Sequence, residues 1–133
     1  MNKLEAIVSK VKSKDSLNLV SFSFKSLMLS MISLDLSEKI KEGTKVIVSV
    51  KPTNITIAKD FEGLLSSSNK LKGKIIFIEE GELLSSVTCD ILGLSIQSMI
   101  TTNSLKQMNL SLDEEITLLF KASDLSIREI VND

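Results

Sequence analysis

The sequence predicts an all-β chain: two small antiparallel barrels in tandem, each carrying one short helix. Three observations lead there. The chain repeats itself, with KLEAIVSKV from Lys3 matched by KLKGKIIFI from Lys70. Short stretches that alternate apolar and polar residues follow one another across polar turns, the pattern of antiparallel strands. The 133 residues divide into two units of roughly 65, a size at which a single core is marginal. Closing each unit into a barrel hides the strand edges that so short a sheet would expose. Two such barrels would support each other further by packing together or exchanging strands.

The elements follow in order. KLEAIVSKV reads as a strand, KSKDS as a hairpin turn and LNLVSFSF as the second strand. In the latter, Leu17, Leu19, Phe22 and Phe24 share one face only if the alternation slips, which predicts a bulge there. The third strand contains LSMIS (Leu29–Ser33). SLDLSEKIKEG then reads as a short helix stopped by Gly43. KVIVSV is the fourth strand, and the tail after Lys51 reads as a further one. The second half repeats this plan: KLKGKIIFI, the turn EEGE, the strand LSSVTCDIL and the strand QSMIT (Gln97–Thr101). A helix in TTNSLKQMNLSLDEE, well supplied with N-cap residues, and the strand EITLLF complete it. The shared Ser-Met-Ile-Ser/Thr aligns the third strands, so that Ser33 matches Thr101. FEGLLSSSN, rich in loop-forming serine, is the linker. The barrels are assigned to residues 1–62 and 63–133, and their five-strand plan is OB-like.

Composition excludes several functions. The chain has no histidine, which removes the commonest general base and metal ligand. It carries neither GxxxxGK[ST] nor GxGxxG. Glu79–Glu80 and Glu114–Glu115 fall in polar turns, where a solvated surface is the default. No enzymatic activity, cofactor or directly coordinated metal is expected. Cys89 is the single cysteine, so no intramolecular disulfide forms, and its strand context makes it a structural thiol. The net charge is −1, with five Phe and neither Tyr nor Trp. A nucleic-acid barrel would need a basic groove and aromatic platforms, so nucleic acid is not an expected partner. No apolar run approaches the roughly 18 residues of a membrane span, and MNKLEAIV lacks a signal-peptide core. The expectation is a cytoplasmic protein. Residues 1–63 hold ten Lys against seven acids, residues 64–133 six Lys and Arg against ten acids. This +3/−4 split is too weak to name a polyanionic partner; it is compatible with head-to-tail contact between copies.

Both halves end an apolar strand alike: Lys51-Pro52-Thr53 and Lys121-Ala122-Ser123. A lysine ending a strand is by default a solvated charge. Repetition at one place in both units raises the case for an anion site, although a repeat preserves a structural feature as easily as a functional one. Lysine supplies charge and three donors, small residues let backbone N–H groups approach, and the hydroxyl adds a donor. A helix start offers further free N–H groups. Each half has a candidate, at Ser33-Leu34-Asp35 and at Thr101-Thr102-Asn103-Ser104.

These residues give the second half a resemblance to the Mop, or TOBE, domain of molybdate-binding proteins. Such modules open S-A-R-N-x-[LF]-x-G and close V-K-A-S-S-V. Here the opening is Ser66-Ser67-Ser68-Asn69-Lys70-Leu71-Lys72-Gly73, and the close is Lys121-Ala122-Ser123. Between them, MITTNSL resembles the family's V-[VI]-T-x-x-S-V. The first half is similar but looser, so the whole chain looks like a di-Mop protein. The resemblance implies OB-like tandem barrels in a homo-oligomer, a dimer or trimer, with molybdate or tungstate held at subunit interfaces. It implies Ser66, Thr101, Ser104, Lys121, Ala122 and Ser123 as the oxyanion-binding set. Ser33, Lys51 and Thr53 are weaker first-repeat candidates.

The chain also departs from the family pattern. Ser68 stands where the family has arginine; a lost charged hydrogen bond costs about 1.5–3 kcal/mol, roughly tenfold to over a hundredfold in affinity. Pro52 replaces the alanine and removes a backbone donor, and only Met1-Asn2 precedes Lys3. The function implied is storage or homeostasis of the oxyanion. Alternatives are a sensing module acting on a transcription regulator or transporter, and a barrel pair that has lost its ligand. With the first strand opening the chain and no helix-turn-helix ahead of it, direct operator binding is not expected.

Overall fold

The computed structural model describes residues 1–131. Its strands are β1 (Asn2–Lys14), β2 (Leu17–Phe24), β3 (Leu27–Ser33), β4 (Lys45–Val50), β5 (Thr56–Ala58), β6 (Asn69–Glu80), β7 (Leu84–Ile91), β8 (Leu94–Thr101), β9 (Glu115–Phe120) and β10 (Ser126–Ile130). One helix, α1, spans Thr102–Met108, and 3-10 turns span Pro52–Asn54 and Ala122–Asp124. Period-2 patterning decides what each strand buries. In β1, Leu4, Ala6 and Val8 face the core while Lys3, Glu5 and Ile7 face out. Polar residues with left-handed backbone close two of the hairpins: Asp15 and Ser16 (φ 50° and 71°) after β1, Lys25 (φ 53°) after β2.

The two sheets exchange their last strands. One has the order β10-β4-β1-β2-β3, the other β5-β9-β6-β7-β8. β5, from the first half, pairs with β9 through Thr56↔Leu119 and Ala58↔Thr117. β10, from the second half, pairs with β4 through Ser126↔Ser49 and Ile127↔Val48. Exchange is one of the two forms of mutual support expected of such small barrels. It buries Ile55, Ile57 and Leu125 in a core cluster that runs through both halves.

Three sequence expectations need correction. The bulge lies in β1, not β2. The register runs Val8↔Phe22 and then Lys10↔Ser21, leaving Ser9 as the extra residue, and β6 repeats this at Ile76. β2 alternates without a slip: Val20, Phe22 and Phe24 are buried, while Leu17 and Leu19 point outward.

The third strands are also one residue out of the motif alignment. Val20 pairs with Met31 and its counterpart Val87 pairs with Ser98. Ser33 therefore corresponds to Ile100, and Thr101 to Leu34. Burial on the core face, not the repeated Ser-Met-Ile, sets the register.

The first-half helix does not form; residues 34–43 are bends, turns and irregular chain. Eleven residues (34–44) separate Ser33 from Lys45, against fourteen (101–114) between Ile100 and Glu115, so nearly a helical turn is missing. The N-cap position holds Leu34, which has no side-chain acceptor. In the second half Thr101 caps α1 by accepting from Ser104 N at 3.1 Å, and Asn109 closes it in the left-handed conformation (φ 51°).

Two asparagines tie the halves together. Asn69, fully buried, accepts from Ser30 N at 2.8 Å and donates to Ser30 O at 3.0 Å. Asn2 does the same with Gln97: the backbone N–H donates to Oδ1 and Nδ2 donates to the carbonyl, both at 2.8 Å. Each side-chain amide thus mimics one rung of a ladder on the other half's third strand, satisfying a backbone pair at a sheet edge. Ser30 and Gln97 are themselves counterparts in the corrected register.

Candidate functional site

The two lysine turns are built alike. Val50 and Phe120 end their strands buried, and the chain must then turn to cross into the other barrel. It does so in a 3-10 turn closed by Asn54 N donating to Lys51 O and by Asp124 N donating to Lys121 O, both at 2.9 Å. Lys121 N also donates to Asp124 Oδ2 at 3.0 Å. Ala122 is buried at 7% exposure, while Lys51, Thr53, Lys121 and Ser123 are exposed. Pro52 fits the first helical position of its turn, where its missing N–H breaks no bond.

The hydroxyl pair sits at the start of α1. Thr101 Oγ1 accepts from Ser104 N and donates to Ser104 Oγ at 2.9 Å, so the Ser104 proton is left to donate outward. The helix start offers an anion less than the sequence suggests. Ser104 N is taken by Thr101, and Thr102 N donates to Leu83 O at 2.9 Å. The Thr102 hydroxyl is buried against Ser85 Oγ (2.7 Å) and Gly81 O (2.9 Å).

The structure distributes the candidate residues over three places. Ser66, in the linker, lines a cavity of about 350 Å³ with Lys121, Ser67, Asn54, Thr56 and Asp124. Ser123 lies elsewhere, in a cavity of about 730 Å³ that it shares with Ser33 of the first half. Ser104 lies in the first turn of α1, and Thr101 ends β8, the strand that packs against the Pro52–Asn54 turn. Ser98 Oγ donates to Ile55 O there at 2.7 Å. Strand exchange causes this crossing: each lysine turn abuts the third strand of the opposite half, the Ala122–Asp124 turn meeting β3.

Two charged features escaped the sequence reading. Asp124 stands where the quoted K-A-S-S close has serine, and it places a carboxylate in the Lys121 cavity. Its offset of three from Lys121, matched by Asn54 after Lys51, was the available signal. Lys59 follows the exchanged β5 and donates to Met108 O at 2.9 Å and Asn109 O at 3.2 Å, capping the carbonyl end of α1. It also pairs with Glu114 at 2.8 Å. Its hydrogen bond is the main cause holding the Glu114 carboxyl below its usual range, with Ser111 N and the lysine charge adding to it against partial desolvation. Glu114 is therefore part of a latch and not merely a solvated turn residue. Cys89 is fully buried, which pushes its thiol up to about 11. No helix of the described residues is long and apolar enough to cross a membrane.

Comparison with known proteins gives this arrangement a setting. The fold superposes on a solved structure of the cytoplasmic molybdate-binding protein ModG, in a form with molybdate bound, at a TM-score of 0.90. The two chains share 24% identity, and the match covers 95% of this chain and 94% of that one. At that identity the likeness is one of fold: two OB-like barrels in tandem. A search of the curated proteins found no match. A family model, the TOBE domain, matches residues 65–127, from just before Ser66 to the second residue of the exchanged β10. The second half of the chain is thus similar to the TOBE domain.

Proposed function

We propose that the chain binds a tetrahedral oxyanion, molybdate or tungstate, for storage or homeostasis in the cytoplasm, and that it is not an enzyme. The observation that carries this reading is the meeting of Ser66 and Lys121, far apart in sequence, in one cavity with Ser67, Asn54 and Thr56 as further donors. A tetrahedral dianion needs converging donors and a compensating charge; lysine, hydroxyls and an amide supply both. The molybdenum or tungsten would arrive with its four oxygens, so the protein needs to offer donors only. The fold shared with a molybdate-binding protein supports the reading.

Thr101 and Ser104 belong to the proposed set as well, yet they end and follow β8, the strand that packs against the other lysine turn. The reading therefore includes self-association, in which the hydroxyl pair of one copy joins the Lys121 turn of another. Calorimetric titration with molybdate, tungstate and sulfate tests the proposal. We expect binding of the first two, weakened by Lys121→Ala. No heat and no thermal shift at millimolar anion would overturn it, and equal binding of sulfate would overturn the dedicated role.

One observation favours a second reading, a barrel pair that has lost its ligand. Asp124 places a like charge in the cavity, and Ser68 stands in place of the family's arginine. The same titration decides between the two.

A further inference from the structure

The outer faces of the two long hairpins are alike in position and opposite in charge. In the first barrel, Lys12, Leu19 and Ile32 form one cross-strand row on β1, β2 and β3. Lys10 and Lys14 flank Lys12 on the same face, and Lys14 pairs with Leu17. All six are exposed, the three apolar ones at 40–45%. In the second barrel the corresponding row is Glu79, Ser86 and Met99. Phe77 takes the place of Lys10 and Leu84 that of Leu17, at 55% and 54% exposure. Glu80 and Glu82 extend the acidic tip of this hairpin, and both are exposed. A half-apolar face is costly to leave in water, and here each such face has its electrostatic complement on the same chain.

We infer that these faces dock between copies: the Lys10–Lys12–Lys14 face of one chain on the Phe77–Glu79–Leu84 face of the next. The contact is heterologous, so it closes only if two or more copies complete a ring. The two faces share a strand geometry, which lets apolar rows meet while lysines and glutamates pair at the rim. Like-charged faces would repel, so the charge pattern selects basic-on-acidic over self-pairing. This rests on the self-association proposed above and names its surface; it requires no oxyanion.

Sedimentation velocity and equilibrium on the full chain test it, in low and high salt. Wild type is expected to associate, and to do so about tenfold or more weakly at 1 M salt, where the screening length shrinks to about 3 Å. The triple reversals Lys10→Glu/Lys12→Glu/Lys14→Glu and Glu79→Lys/Glu80→Lys/Glu82→Lys should each be monomeric. Mixing them should restore association, since each then carries the complement of the other. Circular dichroism is the check that both variants remain folded. Oligomers that persist in either variant would overturn the surface while leaving self-association standing. A wild type monomeric at every salt would overturn both. Binding of that monomer through the same lysines to vesicles of anionic phospholipid would assign the basic face to a membrane and equally overturn the proposal.

Discussion

Replacing Asn69 with alanine tests whether side-chain amides hold the two barrels together. Asn69 is fully buried and makes two hydrogen bonds, at 2.8 and 3.0 Å, to the backbone of Ser30. The net worth of two such bonds is about 2 kcal/mol, and the two Ser30 groups left behind add a desolvation penalty of about 1–3 kcal/mol each if water cannot reach them. Ser30 is half-buried on an edge strand, so water relieves much of that penalty, and a total of about 2–4 kcal/mol follows. For a chain of this length roughly 4 °C of melting temperature accompanies each kcal/mol, so Tm should fall by about 8–16 °C. Urea unfolding and thermal melts followed by circular dichroism give both numbers. Asn2→Ala removes the equivalent pair with Gln97 at a more exposed, terminal position, and it should cost less. Asn69→Asp keeps the acceptor for Ser30 N but turns a carboxylate toward Ser30 O, so it should be rescued only in part, and best at acid pH. A loss below about 1 kcal/mol for Asn69→Ala, or a larger loss for Asn2→Ala, would refute the amide clamp.

The remaining predictions concern single charges and the thiol. Glu114 has a folded pKa below its unfolded one because of Lys59, so its contribution is present above the ordinary glutamate range and lost as pH falls through the folded value. Lys59→Met should therefore flatten the acid limb of a Tm-against-pH curve, and an unchanged limb would disprove the latch. Cys89 is buried with its thiol pushed up to about 11. It should resist thiol reagents at pH 8 in the native protein and react only as urea unfolds it; prompt stoichiometric labelling of native protein would contradict this. Asp124→Asn retains an acceptor for Lys121 N while removing the carboxylate from the cavity. Calorimetry should then show molybdate bound about tenfold more tightly, the scale of one unfavourable exposed charge at close range; weaker binding would argue against an anion at this place.

Much of the fold was legible because its signals are local. Alternation in β1 and β2, polar hairpin turns and the recurrence of KLEAIV as KLKGKI report strand pairs that neighbour each other in sequence. What the sequence left open was long-range. Nothing in PTNITI or ASDLSI reveals which β-sheet completes itself with that tail, because either edge would satisfy its backbone. The register of the third strands was misread for a related reason. Ser-Met-Ile recurs one position out of phase, and only the core face around Val20 and Val87 decides the pairing. The helix failed in the first half because composition suited it while the loop was three residues too short and Leu34 took the cap. For the candidate site, residue types were legible and their neighbourhood was not. Ser66 with Lys121 follows from motif order. The crossing of each lysine turn to the opposite third strand follows only from exchange.

That crossing bears on how a complete oxyanion site is assembled under the proposed function. Within one chain, the Ala122–Asp124 turn meets β3, and the residue after β3 is Leu34 where the second half has Thr101. The hydroxyl pair, Thr101 with Ser104, ends and follows β8, the strand that packs against the turn containing Pro52, which lacks the backbone donor. On that reading neither place would hold the full donor set. Two identical intramolecular sites would demand that both halves preserve both parts. One site formed between copies demands only that the second half do so, because the Lys121 turn of one chain and the Thr101 cap of another then meet. On that reading the first half would be free of ligand selection, consistent with its shorter loop, Leu34 and Pro52, while it retains the Asn2 clamp, the bulge at Ser9 and the exchanged strand β5.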